Sequence, residues 1–167
     1  GKTRDDTAGE KFEKAARVLG LVFPGGPAIQ KAAPSTPSRE TFTQPQFKSG
    51  NVLDFSFSGL KTAILNRAKT LGIYPPNSTE PSETVIAELA GGFQEAIVTS
   101  LVSRVSQAAK TFNARGVIIG GGVAANSLLR EQMKSTIDLP VVVPPPILCT
   151  DNGAMIAACA YHKLGSA

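Results

Sequence analysis

The chain has 167 residues, of which 42% are hydrophobic and 18% are charged, and these proportions are typical of a soluble globular protein. No apolar stretch predicts a membrane span, and the two cysteines lack metal-ligand spacing, so we expect free thiols in a reducing compartment. The net charge of +4 fits a nucleic-acid partner but does not argue for one, because no Lys/Arg block is present. The sequence begins at Gly1 with neither a methionine nor a signal-peptide pattern, so we expect a longer parent protein.

The first predicted helix covers residues 5–19. Acidic residues crowd its first turns, and either Asp5 or Asp6 can cap it. Gly20 then occupies the position that a glycine commonly takes after a helix.

The segment Pro-Gly-Gly-Pro at 24–27 predicts a rigid turn, and a second interpretation is that its glycines clear space for a planar ligand. A short helix over residues 28–33 follows. Residues 34–50 are rich in Pro, Ser, Thr and Gln, which predicts a loop with room for an edge strand. Alternation over residues 54–58 predicts a strand.

A second long helix is predicted from Ser58 to Gly72, and three prolines within residues 74–81 predict a linker. The longest predicted helix begins after Ser82, a good N-cap residue. Its apolar residues recur every three or four positions, which predicts a buried face made of Val85, Leu89, Phe93, Ile97, Leu101, Val105, Ala108 and Phe112.

Two glycines, Gly91 and Gly92, interrupt the middle of this helix. Each weakens a helix by roughly 1 kcal/mol relative to alanine, so we expect close packing or a kink there.

Residues 116–130 predict a buried strand at 117–119, a glycine turn at 120–122 and then a helix with Asn126 in its first turn. Glycines let the backbone approach a ligand closely, and free N–H groups at a helix start attract anions. The alternative is a tight turn whose glycines only satisfy a positive φ.

Residues 141–143 predict a second buried strand, which three prolines end, and residues 154–164 predict a final helix. The order strand, helix, strand, helix argues for an α/β fold with a parallel sheet and helical crossovers.

Asp151 follows this second strand region and precedes the last helix, where open α/β sheets place their ligands. Its carboxylate can bind a metal, orient a water molecule or cap the helix. A divalent site needs three or more ligands and the chain has one histidine, His162, which we expect to complement the dipole of the last helix.

A nucleotide site is the remaining interpretation, since the sequence contains neither a P-loop nor an ordered nucleophile and base. The glycine turns at 25–26 and 120–122 could bracket a base and ribose, with Glu13 or Glu10 accepting from the sugar hydroxyls.

Five motifs in order give the chain a resemblance to a known family. They are Arg-Asp-Asp-Thr-Ala-Gly-Glu at 4–10 running through to Leu-Gly-Leu at 19–21, Pro-Gly-Gly-Pro at 24–27, Asp-Phe-Ser-Phe-Ser-Gly-Leu-Lys-Thr-Ala at 54–63, Gly-Gly-Gly-Val-Ala-Ala-Asn at 120–126 and Cys-Thr-Asp-Asn at 149–152. Together they closely resemble the C-terminal half of the TsaD family, the tRNA adenosine threonylcarbamoyltransferases, in its bacterial or organellar form.

The resemblance implies one lobe of the actin/sugar-kinase/Hsp70-like (ASKHA) fold, with helices on a mixed sheet. Residues 1–148 would form the nucleotide-binding lobe. Residues 149–167 would form a metal-ligand loop and a final helix that packs on an N-terminal lobe.

It also implies transfer of a threonylcarbamoyl group from threonylcarbamoyl-AMP to N6 of the adenine that follows the anticodon, with the fragment alone inactive. Gly26 and Asn126, with Gly121 and Gly122, match substrate-binding positions. Glu13 stands where the family usually has an aspartate that binds the ribose.

Asp151 matches a ligand of one divalent metal ion, iron or zinc, whose two histidine ligands are absent from this chain. The implied partners are tRNA, an inactive TsaD paralogue and a small ATPase, with no membrane and a cytoplasmic or organellar location. Two other functions stay open: a phosphotransferase of the same superfold, and a non-catalytic nucleotide-binding or dimerisation module.

Overall fold

The computed structural model describes residues 1–43, 53–75 and 81–165. Within them the chain forms a helix-rich α/β structure with a two-stranded parallel sheet, so the α/β prediction is confirmed at this level. The elements in chain order are α1 (Ala8–Val18), α2 (Gly25–Ala32), α3 (Ser58–Thr70), α4 (Glu83–Thr111), β1 (Val117–Ile118), a 3₁₀ turn (Gly122–Ala125), α5 (Ser127–Thr136), β2 (Val141–Val142), a second 3₁₀ turn (Pro146–Leu148) and α6 (Gly153–Leu164).

Helix α4 connects the two hydrophobic cores of the chain. Its first half packs with α1, α2 and α3 around Phe93, whose ring lies edge-on to those of Phe12 and Phe42 at centroid distances of 6.0 and 6.3 Å. Its second half packs with α5 and the inner side of the sheet, in a cluster of Val98, Val102, Leu129, Met133 and Ile137. The 29-residue helix therefore fixes the position of α1 and α2 relative to the glycine turn.

The sequence prediction that no segment reaches membrane-spanning length is wrong for α4. An 18-residue window of this helix has a mean hydropathy of 1.4, which passes a test of length and composition. Half of that window is buried against the rest of the chain, and this burial is typical of the core helix of a globular domain.

The predicted apolar face of α4 is correct along most of the helix, since Leu101 and Val105 in its second half also pack against the second core, and it is wrong at Phe112. Leu89, Phe93 and Ile97 are fully buried, whereas Phe112 is 72% exposed. Ala109 in the last turn is still buried, so the exposed position is Phe112, the residue that follows the helix.

The predicted caps of the first helix are wrong, because neither Asp5 nor Asp6 caps it. Thr7 and Glu10 form a capping box at the start of α1, in which the Thr7 hydroxyl accepts the Glu10 N–H and the Glu10 carboxylate accepts the Thr7 N–H at 2.8 Å. Asp6 instead pairs with Lys11 and Lys14.

Asp5 caps α3 from a position more than fifty residues away in the sequence. Its carboxylate accepts the Phe57 and Ser58 N–H groups at 2.9 and 3.2 Å, together with the Ser56 hydroxyl. Partial burial raises the pKa of this carboxyl, but these hydrogen bonds outweigh burial and hold the pKa below its usual 3.8. The ionised form of Asp5 is therefore stabilised by folding.

We expect Asp5→Ala to lower the free energy of unfolding by about 1 kcal/mol at pH 7, the usual effect of losing a helix cap. Because the folded-state pKa lies below the unfolded value of 3.8, this contribution is complete above pH 3.8 and disappears as the pH falls through the folded pKa. Urea unfolding of wild type and variant between pH 7 and pH 2 measures the difference. Asp138→Ala is the control, because it removes an exposed carboxylate with no partner among the described residues, and its unfolding free energy should stay close to that of wild type at every pH. A stability difference between wild type and Asp5→Ala that is the same at every pH would contradict the prediction.

The turn predicted at 24–27 is in fact the beginning of α2, which starts at Gly25, three residues earlier than expected. Close packing of two helices explains why glycine stands there. A Cβ at Gly25 would lie 2.7 Å from the Glu13 Cα and 2.8 Å from the Phe12 carbonyl oxygen of α1.

Several other predictions concern the loops and strands. Residues 34–43 form a loop as expected, while 44–50 of that loop and 76–80 of the predicted linker lie outside the described residues. The predicted strand at 54–58 is reduced to one bridge between Thr3 and Phe55.

Close packing at the glycines of α4 is confirmed, because a Cβ at Gly92 would lie 2.1 Å from the Glu40 carbonyl oxygen.

The prediction of strands buried on both faces is wrong for the described sheet. Ile118 and Val142 are 80% and 57% exposed, whereas Val117, Ile119 and Val141 pack against the α4–α5 cluster. Helices therefore cover one face of this sheet and leave an apolar face open in the part of the chain that the structure describes.

Candidate functional site

A cavity of ≈ 680 Å³ lies where the first turns of α1 and α2 meet the glycine turn that follows β1. Its size is that of an ordinary small-molecule site. Carbon atoms form most of the wall, and Glu13 contributes a carboxylate. The residues that line it are Thr7, Ala8, Gly9, Phe12, Glu13, Pro24, Gly26, Pro27, Gln30, Gly120, Gly121, Gly122, Val123, Ala125, Asn126 and Thr150.

All five residues predicted to bind substrate line this one cavity: Glu13, Gly26, Gly121, Gly122 and Asn126. The fold brings them together from α1, α2 and the segment before α5. The two glycine segments thus face the same space, as the nucleotide interpretation of the sequence requires.

The glycine turn presents bare backbone to the cavity. Gly121 has φ +83°, a conformation that favours glycine, and a Cβ added at Gly120, Gly121 or Gly122 would meet no atom within 4 Å. Within the described residues, the N–H groups of these three glycines donate to no protein acceptor. Consecutive N–H groups of this kind form a site that suits an anionic oxygen.

Asn126 lies at the N-cap of α5, one position before the first turn in which the sequence placed it. Its Oδ1 accepts the Leu129 N–H at 2.9 Å, and its Nδ2 donates to Gln94 Oε1 at 2.7 Å. The Ser127 N–H donates to Gln30 Oε1 at 2.8 Å. The expectation that the start of this helix offers free N–H groups is therefore wrong for Ser127 and Leu129, and the free donors belong to the glycine turn.

Glu13 and Glu10, the two candidates for a ribose-binding carboxylate, differ in position. Glu10 belongs to the capping box of α1 and does not line the cavity. Glu13 lines it, and its Oε1 accepts the Gly25 N–H at 2.9 Å. Because Pro24 has no polar side chain, Glu13 supplies the cap of α2, and its second carboxylate oxygen remains available to a ligand.

The electrostatics of the cavity are simple. Among the described residues that line it, Glu13 is the only one with an ionisable side chain. The apolar part of the lining includes Phe12, Pro24, Pro27 and Val123. A ligand with a flat apolar ring, hydroxyl donors and an anionic group matches this combination of apolar wall, carboxylate and backbone N–H donors.

Asp151 does not line the cavity, although its neighbour Thr150 does. Its side chain is exposed, and the cap of α6 is Asn152, whose Oδ1 accepts the Met155 N–H at 3.0 Å. The capping role considered for Asp151 is therefore filled by its neighbour. No group of three His, Cys, Asp or Glu side chains in the described ranges can hold a metal ion, so the described part of this chain does not fit a metal on its own.

Sequence reasoning missed Gln30 and Gln94, which hold the start of α5. A signal for Gln94 was present, because Ala90, Gln94 and Val98 follow one another at a spacing of four on α4 and all three are buried. A polar residue within a buried stripe usually has a specific hydrogen-bond partner. Gln30 lies at the surface of α2 and offered no comparable signal.

Comparison with known proteins identifies close relatives of this chain. It matches the TsaD family, described as tRNA N6-adenosine threonylcarbamoyltransferase, over residues 1–158. Proteins of that description from Thermomicrobium roseum, Dehalococcoides mccartyi (strain BAV1) and Dictyoglomus turgidum are 48%, 44% and 43% identical to it. The alignments cover 97%, 98% and 97% of this chain and 48%, 46% and 47% of the relatives, so the chain spans about half the length of the curated relatives it matches.

Proposed function

We propose that this chain, which belongs to the TsaD family of tRNA N6-adenosine threonylcarbamoyltransferases, provides the C-terminal half of an enzyme that makes threonylcarbamoyladenosine in tRNA. The substrate of this reaction is threonylcarbamoyl-adenylate. The N6 amine of the adenine that follows the anticodon attacks the carbamoyl carbon and loses a proton, the bond from that carbon to the phosphate oxygen breaks, and AMP leaves.

One observation carries this assignment of the cavity: the three N–H groups of Gly120, Gly121 and Gly122 have no protein acceptor in the described residues, and these glycines line a cavity of the size of a small-molecule site. An anionic oxygen of the adenylate supplies the missing acceptor. In this proposal the second carboxylate oxygen of Glu13 accepts a ribose hydroxyl, and Phe12 and the two prolines contact the base.

The fold proposed for the whole protein is the two-lobed ASKHA fold, with this chain as the nucleotide-binding lobe. The parallel sheet with helices on one face supports the assignment. The partners we propose, beyond tRNA, are an inactive TsaD paralogue and a small ATPase, and the location we propose is the cytoplasm or, in a eukaryote, an organelle.

The exposure of helix α6 supports the proposal of a second lobe in the whole protein, because every residue from Gly153 to Leu164 is exposed although many are apolar. Ile156 and Leu164 are 63% and 75% exposed. We assign this face to the half of the curated relatives that this chain does not span. Hydrogen–deuterium exchange should show α6 protected in the full-length gene product and rapidly exchanging in residues 1–167 expressed alone, whereas equal exchange in both proteins would contradict the assignment.

Asp151 is proposed as one ligand of a divalent metal ion, iron or zinc, whose two histidine ligands come from outside this chain. We expect Asp151→Asn to weaken metal binding by at least about tenfold, the lower bound for losing even an outer-shell partner. Metal analysis of the purified full-length gene product measures the loss, with Asp138→Asn as a matched control at an exposed aspartate. Full metal content in Asp151→Asn would remove this residue from the site.

The proposed function is tested with the full-length gene product, a tRNA transcript that lacks the modification and threonylcarbamoyl-adenylate. Mass spectrometry of the digested tRNA should detect threonylcarbamoyladenosine, and residues 1–167 alone should produce none. ATP turnover with a small acceptor and no tRNA would instead identify a phosphotransferase. AMP binding without any transfer would identify a non-catalytic module.

A further inference from the structure

Two glutamines from different helices hold the start of α5 beside the proposed nucleotide cavity. Gln94 of α4 accepts the Nδ2–H of Asn126 at 2.7 Å, and Gln30 of α2 accepts the Ser127 N–H at 2.8 Å. Gln94 and Asn126 are 6% and 9% exposed. Hydrogen bonds at such a depth are costly to break, because the unpaired group is left without water.

Two hydrogen bonds hold the amide of Asn126 in one orientation. Asn126 Oδ1 must face the Leu129 N–H, a donor, and Asn126 Nδ2 must face Gln94 Oε1, an acceptor. Rotating the amide by half a turn would place donor against donor and acceptor against acceptor. The Leu129 N–H therefore selects the orientation of the Asn126 amide, and the Gln94 acceptor holds the amide there with a second hydrogen bond.

The backbone of Asn126 in turn fixes the glycine turn. Its N–H donates to the Val123 carbonyl at 3.0 Å, and the Ala124 N–H donates to the Gly121 carbonyl at 2.9 Å. These two bonds close the 3₁₀ turn whose beginning carries the unpartnered N–H groups. Hydrogen bonds joined through the backbone thus connect Gln94 to the glycine turn that lines the cavity.

We propose that Gln94 is a positioning residue for nucleotide binding, which it supports by fixing the Asn126 amide and, through it, the N–H groups of the glycine turn. This inference rests on the proposed function, in which the cavity binds the adenylate. Gln30 adds to it by occupying the Ser127 N–H, so that the anionic group of the ligand meets the glycine donors and not the first amide of α5.

The test compares Gln94→Met, which keeps the length of the side chain without an acceptor, with Gln94→Glu, which keeps an acceptor oxygen. AMP is the probe, and calorimetry on the full-length gene product measures its Kd. Gln94→Met should bind AMP at least tenfold more weakly, whereas Gln94→Glu should bind within threefold of wild type. A folded Gln94→Met protein with unchanged affinity, or a Gln94→Glu protein as weak as Gln94→Met, would overturn the proposal.

A second measurement does not depend on the ligand. Hydrogen exchange of the Leu129 amide should be at least tenfold faster in Gln94→Met than in wild type, because the Asn126 acceptor is no longer held, and unchanged exchange would overturn the proposal. If Gln94→Met does not fold, the smaller Gln94→Asn, whose amide is one methylene too short for the contact, replaces it in both assays. A wild-type protein that binds no AMP would refute the proposed function, while the exchange experiment would still decide the role of Gln94.

Discussion

Replacement of Gly92 by alanine is expected to lower the free energy of unfolding by at least about 3 kcal/mol, the upper part of the range for overpacked cores. The added Cβ would lie 2.1 Å from the Glu40 carbonyl oxygen and 2.8 Å from its carbonyl carbon. Both are backbone atoms, so no side chain can rotate to make room. Either α4 or the segment that contains Glu40 must move.

That segment is held in place by several contacts. Arg67 Nε donates to both carboxylate oxygens of Glu40, at 3.1 and 3.0 Å. The neighbouring Ser38 and Arg39 N–H groups donate to Glu95 and Glu88 of α4 at 2.9 and 2.6 Å. A displacement that accommodates the new methyl group would break some of these bonds.

Urea unfolding of the purified protein measures the effect of Gly92→Ala. Gly26→Ala is the matched control for stability, because that glycine is also helical and a Cβ there meets nothing within 4 Å. We expect the control to change the unfolding free energy by no more than about 0.5 kcal/mol. A Gly92→Ala protein as stable as the control would contradict the prediction, because it would show that the segment containing Glu40 can move away from α4 without a loss of stability.

Replacement of Gly122 by proline is expected to weaken AMP binding by about 10- to 150-fold, which corresponds to losing one hydrogen bond of 1.5–3 kcal/mol to a charged group. Proline removes the N–H donor at this position. The fold should tolerate it, because Gly122 is the first residue of the 3₁₀ turn and a Cβ added there meets no atom within 4 Å.

Gly122→Ala separates the loss of the donor from the addition of carbon atoms, because alanine keeps the N–H. Calorimetry with AMP on the full-length gene product should give a larger loss for proline than for alanine, and thermal unfolding should confirm that both variants fold. Equal losses would show that the N–H of Gly122 does not bind the ligand and would weaken the assignment of the glycine turn as the anion site.

The helices were predictable because their signals are local. The apolar spacing around Leu89, Phe93 and Ile97 and the Ser82 cap place α4 within a residue of its observed bounds. The same reasoning failed at Phe112, since periodicity states which face is apolar and not whether another element covers it. The prediction of a buried sheet failed for the same reason. The apolar run at Val117 and Ile118 predicted a strand buried on both faces, but the Ile118 side chain is exposed.

The residues around the cavity could be selected from the sequence because glycine turns and helix starts have recognisable patterns. Gly26, Gly121 and Asn126 were chosen in this way, and the fold places all three at one cavity. The sequence alone left open whether Glu10 or Glu13 faces it. That choice depends on the Thr7 capping box and on the approach of α2 to α1, neither of which the spacing of the two glutamates reveals.

The sequence by itself determined the helices, the α/β class and, through five ordered motifs, the family. Only the tertiary structure decided which polar group completes which helix end. Asp5 caps α3 across 52 residues, Glu13 caps α2 across 12, and Gln30 meets the start of α5 across 97. The first turn of a helix has backbone N–H groups that need an acceptor from outside the helix. Because these partners lie far apart in the sequence and leave no local pattern, only the packing of the chain determines which acceptor each helix uses.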